Sequence, residues 1–162
     1  MLSKKLNAVF IEGDDYHSPE NVQKMSVLMQ PLNDEDREPW LQSLYRVASS
    51  KPEDFVVMAC SALKHKYRLL LSGAIQNLGD DAQPVHYQQQ ETMFVYLKGS
   101  KELIKERMKK RHKHYMKIAL LDSQFDALEE PSPCKFYKSL TVEMKEGKTP
   151  ETIVEEIFAK LN

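Results

Sequence analysis

Cysteine, glycine and net charge are all scarce in this chain. Two cysteines among 162 residues, Cys60 and Cys134, are too few for a disulfide framework, and neither stands at a metal-ligand spacing with a histidine. A reducing, cytoplasmic setting and a site without a resident metal are the resulting expectations. The 23 Lys and Arg nearly cancel the 24 Asp and Glu, for a net charge of -1. That balance excludes a strong overall field toward nucleic acid or membrane, so any charge-based function must be local. No run of about 18 apolar residues occurs, and the opening MLSKKLNAVFIEG has no apolar stretch suited to a signal peptide. Internal repeats and interdomain linkers are also missing. What is present is the length of one domain, residues 1–162, with 41% hydrophobic residues, enough to fill one core.

Three short apolar runs read as strands: Ala8 to Ile11, Phe55 to Cys60 and Met93 to Leu97, with Leu140 to Val142 as a weaker fourth. Between them, Trp40, Leu41, Leu44, Val47 and Ala48 recur at helical spacing, as do Ile153, Val154, Ile157, Phe158 and Leu161. Strand and helix therefore alternate. Continuous apolar strands imply burial on both faces, so the expected class is α/β, a parallel sheet flanked by helices. The stretch from Ser72 to Glu91 has neither period and reads as a long, mobile connection.

Ligands of such sheets sit beyond the carboxyl ends of the strands. Two polar clusters fall there, Asp14-Asp15-Tyr16-His17 and Ser61-Ala62-Leu63-Lys64. Adjacent acids beyond a buried strand can accept hydroxyl hydrogen bonds or deprotonate an attacking alcohol. Asp34 or Asp36 is expected to cap the helix carrying Trp40, with Pro39 in its first turn, and Ser61 is a candidate cap for the next helix. Arg37, Lys64 and Arg68 are candidate cations for an anionic ligand, although Lys64 and Arg68 also suit a solvated helix face. Leu121, Phe125 and Leu128 read as a packing stripe with Gln124 on its margin.

The blocks GDDYHSPENVQKM, PLNDEDREPWL, CSALKHKYR and HYMKIALLDSQFDALEEP, in this order, resemble the motifs of gluconokinases, and the resemblance covers most of the chain. It implies a P-loop kinase fold of the nucleoside-monophosphate-kinase type with a lid around residues 107–117, and ATP- and Mg²⁺-dependent phosphorylation of D-gluconate to 6-phospho-D-gluconate. By the same resemblance Asp14 orients and deprotonates the accepting hydroxyl, assisted by Asp15, while His17 and Arg37 contact substrate. Arg107 and Arg111 would clamp the transferring phosphate from the lid. Whether the protein forms a homodimer is left open.

A phosphate-binding loop requires GxxxxGK[ST], and the sequence has no such string. Its nearest relative, Gly147-Lys148-Thr149, has Val142 in place of the first glycine and reads instead as a turn, with Thr149 capping a helix that starts at Pro150. Relative to the family the sequence opens near the end of the first helix, so the first strand, the P-loop and most of that helix are expected to be absent. Nucleotide binding is then expected to be weak, and strands from Ala8 and Phe55 to lie beside unpaired edges. The loop Met25 to Pro31 lacks the family's glycine, and Lys113 stands at a lid glycine, so local geometry is expected to differ at both. The competing expectation is an inactive homologue that pairs with a full-length subunit. RNA binding through Lys109 to His114 is a third reading, disfavoured by balanced charge and little aromatic interleaving.

Overall fold

The computed structural model describes residues 1–85, 91–110 and 118–161. A short helix α1 (Leu2–Leu6) ends at Asn7 in the left-handed conformation (φ 50°) and leads into β1 (Val9–Glu12). A single 3-10 turn, Gly13–Tyr16, follows. Helix α2 (Pro19–Ser26) starts where Ser18 Oγ accepts the Asn21 N–H at 3.2 Å and Pro19 takes the first helical position.

Helix α3 (Asp34–Ser49) is capped by Asn33 rather than by either candidate aspartate. Asn33 Oδ1 accepts the Asp36 N–H at 2.8 Å and Asp36 Oδ2 accepts the Asn33 N–H at 2.9 Å, a reciprocal capping box. The earlier start puts Pro39 in the second turn instead of the first. Asp34 is thereby freed from capping, and its carboxylate points elsewhere.

Strand β2 (Val56–Ala59) pairs in parallel with β1, Val9 opposite Val56 and Glu12 opposite Ala59. Helix α4 (His65–Leu71) then begins at Lys64 with no side-chain cap, so Ser61 does not serve as one. Beyond it come β3 (Met93–Lys98), α5 (Lys101–Lys110), a 3-10 turn at Ile118–Leu120, α6 (Leu121–Ala127), β4 (Lys138–Glu143) and α7 (Pro150–Leu161). Strands β3 and β4 are parallel, with Met93 opposite Lys138.

The α/β class with parallel strands is as expected, but the described strands form two pairs instead of one sheet. The runs at Ala8 and Phe55 are each other's partners, so the unpaired edges lie on the far side of each pair. Incomplete cover shows in the exposure of Phe10, Phe55, Met93 and Leu97. All of β2 is only half-buried, contrary to the two-sided burial its apolar run implies.

Two separate apolar clusters hold these pairs. Ile11, Trp40, Leu41, Leu44, Tyr67 and Leu70 centre the first, between β1–β2 and helices α3 and α4. Val142, Met144, Ile153 and Ile157 make the second, against α7. The connection after α4 is not wholly loose: Ala74, Ile75 and Leu78 are buried, and Glu38 Oε2 accepts the Leu78 N–H at 3.0 Å. Its residues 86–90 lie outside the described residues. No helix among the described residues is long and apolar enough to cross a membrane.

Candidate functional site

The end of β1 is fixed by close packing. A Cβ on Gly13 would stand 2.5 Å from the Ala59 carbonyl oxygen, so only glycine lets the turn after β1 lie against the end of β2. The Gly13 carbonyl in turn accepts the Trp40 indole N–H at 2.7 Å, and Trp40 stacks on His17 with ring centroids 4.1 Å apart. One aromatic side chain on α3 thus sets both the turn carrying Asp14 and the imidazole that follows it.

Asp14 is half-buried and Asp15 exposed. Burial pushes the His17 pKa down to about 4, with Asp14 opposing that shift and Arg37 reinforcing it. His17 is therefore a neutral hydrogen-bonding group at physiological pH. The same charges show that Asp14, His17 and Arg37 share one neighbourhood, as the sequence blocks suggested.

Arg37 is 5% exposed. Its Nε donates to the Leu32 carbonyl at 3.3 Å, and its guanidinium carbon lies 5.9 Å from the centre of the Tyr67 ring. Among the described residues no carboxylate comes within ion-pair distance of it, and neither terminal nitrogen has a hydrogen-bond partner. A buried cation is costly unless an anion reaches it. Arg37 opens onto a cavity of about 290 Å³, walled by Asn33 and Asp34 of the α3 start, Lys64 and Tyr67 of the α4 start, and Gln124 of α6.

Asp34 organises the opposite edge. It accepts from Lys64 Nζ at 2.8 Å, pairs with Lys66 Nζ at 2.7 Å and receives the Tyr67 hydroxyl. Burial works to raise its pKa, but the hydrogen bonds from the two lysines and the tyrosine outweigh it and hold the carboxyl far below its usual range. Burial and the Asp34 bond push the Tyr67 phenol up, beyond any physiological titration. Cys60, between the two polar clusters, is raised to about 12 by burial and is inert as a thiolate.

Arg68 lies inside the protein. Its Nη1 donates to the carbonyls of Ala62 and Leu63, at 2.8 and 3.1 Å, and its Nε to the Tyr137 hydroxyl at 3.2 Å. These bonds brace the loop before α4, where Ala62 sits at φ 39°. Arg107 stands in the other half: its Nη2 donates to the Lys148 carbonyl at 2.9 Å and its Nη1 reaches Met144 Sδ at 3.5 Å. Arg111 and Lys113, with the rest of the lid at 111–117, fall outside the described residues.

Of the candidate set, Arg37 and Lys64 line the cavity, Asp14 and His17 lie within electrostatic reach of Arg37, and Arg68 and Arg107 are not among the residues lining it. Sequence reasoning missed Asp34 and Tyr67, whose roles depend on a neighbouring residue serving as the cap. It also missed Gln124, which turns to the cavity while Leu121 of its helix is buried and Leu128, just beyond that helix, packs on the first core.

The string Gly147-Lys148-Thr149 does not form a phosphate cradle. Gly147 has φ 76° with open space around it, and Lys148 Nζ is spent on the Glu143 carbonyl and Glu156. Thr149 Oγ1 accepts the Thr152 N–H at 3.3 Å, which makes this string the helix-starting turn read from the sequence. No cluster of three metal-ligating side chains occurs among the described residues.

Comparison with known proteins gives the site its context. The chain is 32% identical to a solved sugar kinase from Janibacter sp. HTCC2649, covering 99% of this chain and 83% of that one with a TM-score of 0.76. A solved gluconokinase from Sinorhizobium meliloti 1021 matches at 35% identity and a TM-score of 0.71, over 99% and 80%. These likenesses place the protein in the α/β class of sugar kinases. It belongs to the gluconokinase family: a probable gluconokinase of Xenopus tropicalis is 41% identical over 99% of this chain and 84% of its own length. A gluconokinase of Arabidopsis thaliana is 36% identical over 100% and 85%. No protein-family model matches the chain.

Proposed function

We propose that the chain is a cytoplasmic gluconokinase-family phosphotransferase whose cavity binds D-gluconate, the acceptor in the reaction ATP + D-gluconate to ADP + 6-phospho-D-gluconate. The observation that carries this reading is Arg37, a buried guanidinium cation that lines a cavity and has no carboxylate partner among the described residues. A substrate carboxylate accepts two parallel N–H bonds from such a fork. Lys64 Nζ, already oriented by Asp34, adds a second positive charge at the same end.

At the other end of the polyol chain, Asp14 accepts the proton of the 6-hydroxyl as the alcohol becomes a nucleophile. Neutral His17, clamped by Trp40, hydrogen-bonds a neighbouring hydroxyl and adds no competing positive charge near Asp14. ATP with Mg²⁺ supplies the phosphoryl group in the family. Because the sequence has no GxxxxGK[ST] string and Lys148 is spent on Glu143 and Glu156, the 162-residue polypeptide is expected to bind nucleotide weakly and to turn over slowly.

Calorimetric titration tests the acceptor half directly. D-gluconate should release heat, while sorbitol, which has the hydroxyls but no carboxylate, should give at least about tenfold weaker binding. Equal binding of both, or silence from a cooperatively folded sample, would remove the gluconate reading. ATP-dependent formation of 6-phosphogluconate at rates usual for kinases, about 1–100 per second, would contradict the weak-nucleotide part alone.

A second reading, a homologue that pairs with a full-length subunit, is favoured by the apolar exposure of Phe10, Phe55, Met93 and Leu97 on the strand pairs. Its test is a stable complex of defined mass with a full-length gluconokinase. A monomer indifferent to that partner excludes it.

A further inference from the structure

The cavity is rich in hydrogen-bond donors, and its free side-chain acceptors are few. Arg37 and Lys64 can only donate. The Asp34 carboxylate is already taken by Lys64, Lys66 and the Tyr67 hydroxyl. Asn33 Oδ1 is committed to the helix cap; the Ser123 hydroxyl gives its proton to the Leu120 carbonyl at 2.8 Å, so it and the Tyr67 hydroxyl keep only their oxygen lone pairs for a ligand. A polyol acid has the opposite need: its carboxylate only accepts, but every hydroxyl also carries a proton that must find an acceptor once water is displaced. Two hydroxyl oxygens cannot accept from every hydroxyl of such a ligand, so the charged donors hold one end and the middle is left short of partners.

Gln124 answers that shortage. It lies on α6, in the cavity wall that faces the α3 and α4 starts, and its carboxamide has no hydrogen-bond partner among the described residues. It presents one carbonyl oxygen and two N–H groups on a single planar head, so it can accept a hydroxyl proton and donate to a neighbouring hydroxyl oxygen. It is half-buried, where an unmet hydrogen bond is more costly than at a fully solvated surface.

We infer that Gln124 is a specificity-determining residue of this cavity, reading hydroxyls in the middle of the bound polyol acid while Arg37 and Lys64 hold its carboxylate. The inference rests on the gluconate reading above and adds the part of the site that distinguishes one polyol acid from another. It locates that discrimination on α6, away from the turn carrying Asp14.

The test is calorimetric titration of the folded 162-residue chain and of Gln124→Met with D-gluconate and with its 2-, 3- and 4-deoxy analogues. The variant should bind D-gluconate about tenfold or more weakly. For at least one deoxy analogue, wild type and variant should bind equally, because the hydroxyl that Gln124 reads is gone. Unchanged affinity of Gln124→Met for D-gluconate, or the same loss against every analogue, overturns the inference and leaves the gluconate reading intact. If wild type gives no heat with D-gluconate, the underlying reading fails and the inference with it. Gln124→Glu is the second variant, usable even if Gln124→Met does not fold. It keeps the shape but replaces the N–H donors with a charge, and it should also weaken D-gluconate more than the analogue that escapes Gln124; an equal effect on both overturns the inference.

Discussion

The two strand pairs of this protein are built to different standards. Around β1 and β2, Leu41 and Leu44 are fully buried, Tyr67 and Leu70 nearly so, and the polar groups at the rim are locked by Trp40, Asp34 and Arg68. Around β3 and β4, helix α5 buries no residue, the second core is small, and ion pairs such as Lys98 with Glu130 are solvent-exposed, where each contributes little. On the gluconate reading, the difference separates tasks. A site that must recognise one polyol acid needs groups held to within fractions of an ångström, whereas the half carrying the expected phosphate clamp is held by fewer buried contacts and is the looser part.

The largest effect should come from breaking the well-built half at its tightest point. Gly13→Ala forces a methyl against the Ala59 carbonyl, and we expect a loss of about 2–3 kcal/mol, a fall in Tm of roughly 5–10 °C. Differential scanning calorimetry checks it, and an unchanged Tm would show that the two strand ends are not locked together.

His17 gives a pH signature for the same half. Its folded pKa is depressed to about 4 from an ordinary 6.5, so between those values the unfolded chain binds a proton that the folded chain does not. Stability from this group is complete above about pH 6.5 and is lost as pH falls toward 4. Discounted for partial exposure, the loss is on the order of 1–2 kcal/mol. Urea melts of the wild type and His17→Gln at pH 7 and pH 4.5 isolate it: the variant should lose less over that interval.

Arg107→Ala should cost about 1 kcal/mol through its bond to the Lys148 carbonyl, yet leave D-gluconate affinity unchanged. A change in that affinity would erase the division between the halves. The smallest effect is expected at Met29, an exposed residue held at φ 54°. Met29→Gly removes the left-handed strain and should raise stability by a few tenths to about 1 kcal/mol, visible as a small rise in the urea midpoint.

Much of this division was legible in the sequence, and the parts that were not share a cause. Apolar runs gave all four strands to within two residues because burial selects their composition. The pairing into two sheets was not legible, since an apolar run does not name its neighbours. Asp14 and His17 stood out because a polar cluster after a buried strand is conspicuous, whereas Arg37, on α3, stood out as a candidate cation and through the family resemblance. Asp34 was hidden by its place among three acids at a helix start, where a cap is the default role, until Asn33 proved to be the cap. Arg68 shows the converse: a charged residue four places after Lys64 suits a solvated face, but its side chain is buried and its Nη1 donates to two backbone carbonyls in the interior. Gln124 sits beside an apolar stripe, and only the fold tells which side of that stripe faces a cavity.

The central claim is that the α3–α4 rim is a gluconate site anchored by Arg37. Titrating D-gluconate into the wild type, Arg37→Met and Arg107→Met, each first shown to melt cooperatively, tests it most directly. The account predicts binding by the wild type and Arg107→Met with equal affinity, and a loss of about a hundredfold or more in Arg37→Met. Equal binding by all three chains, or loss in Arg107→Met alone, would contradict it.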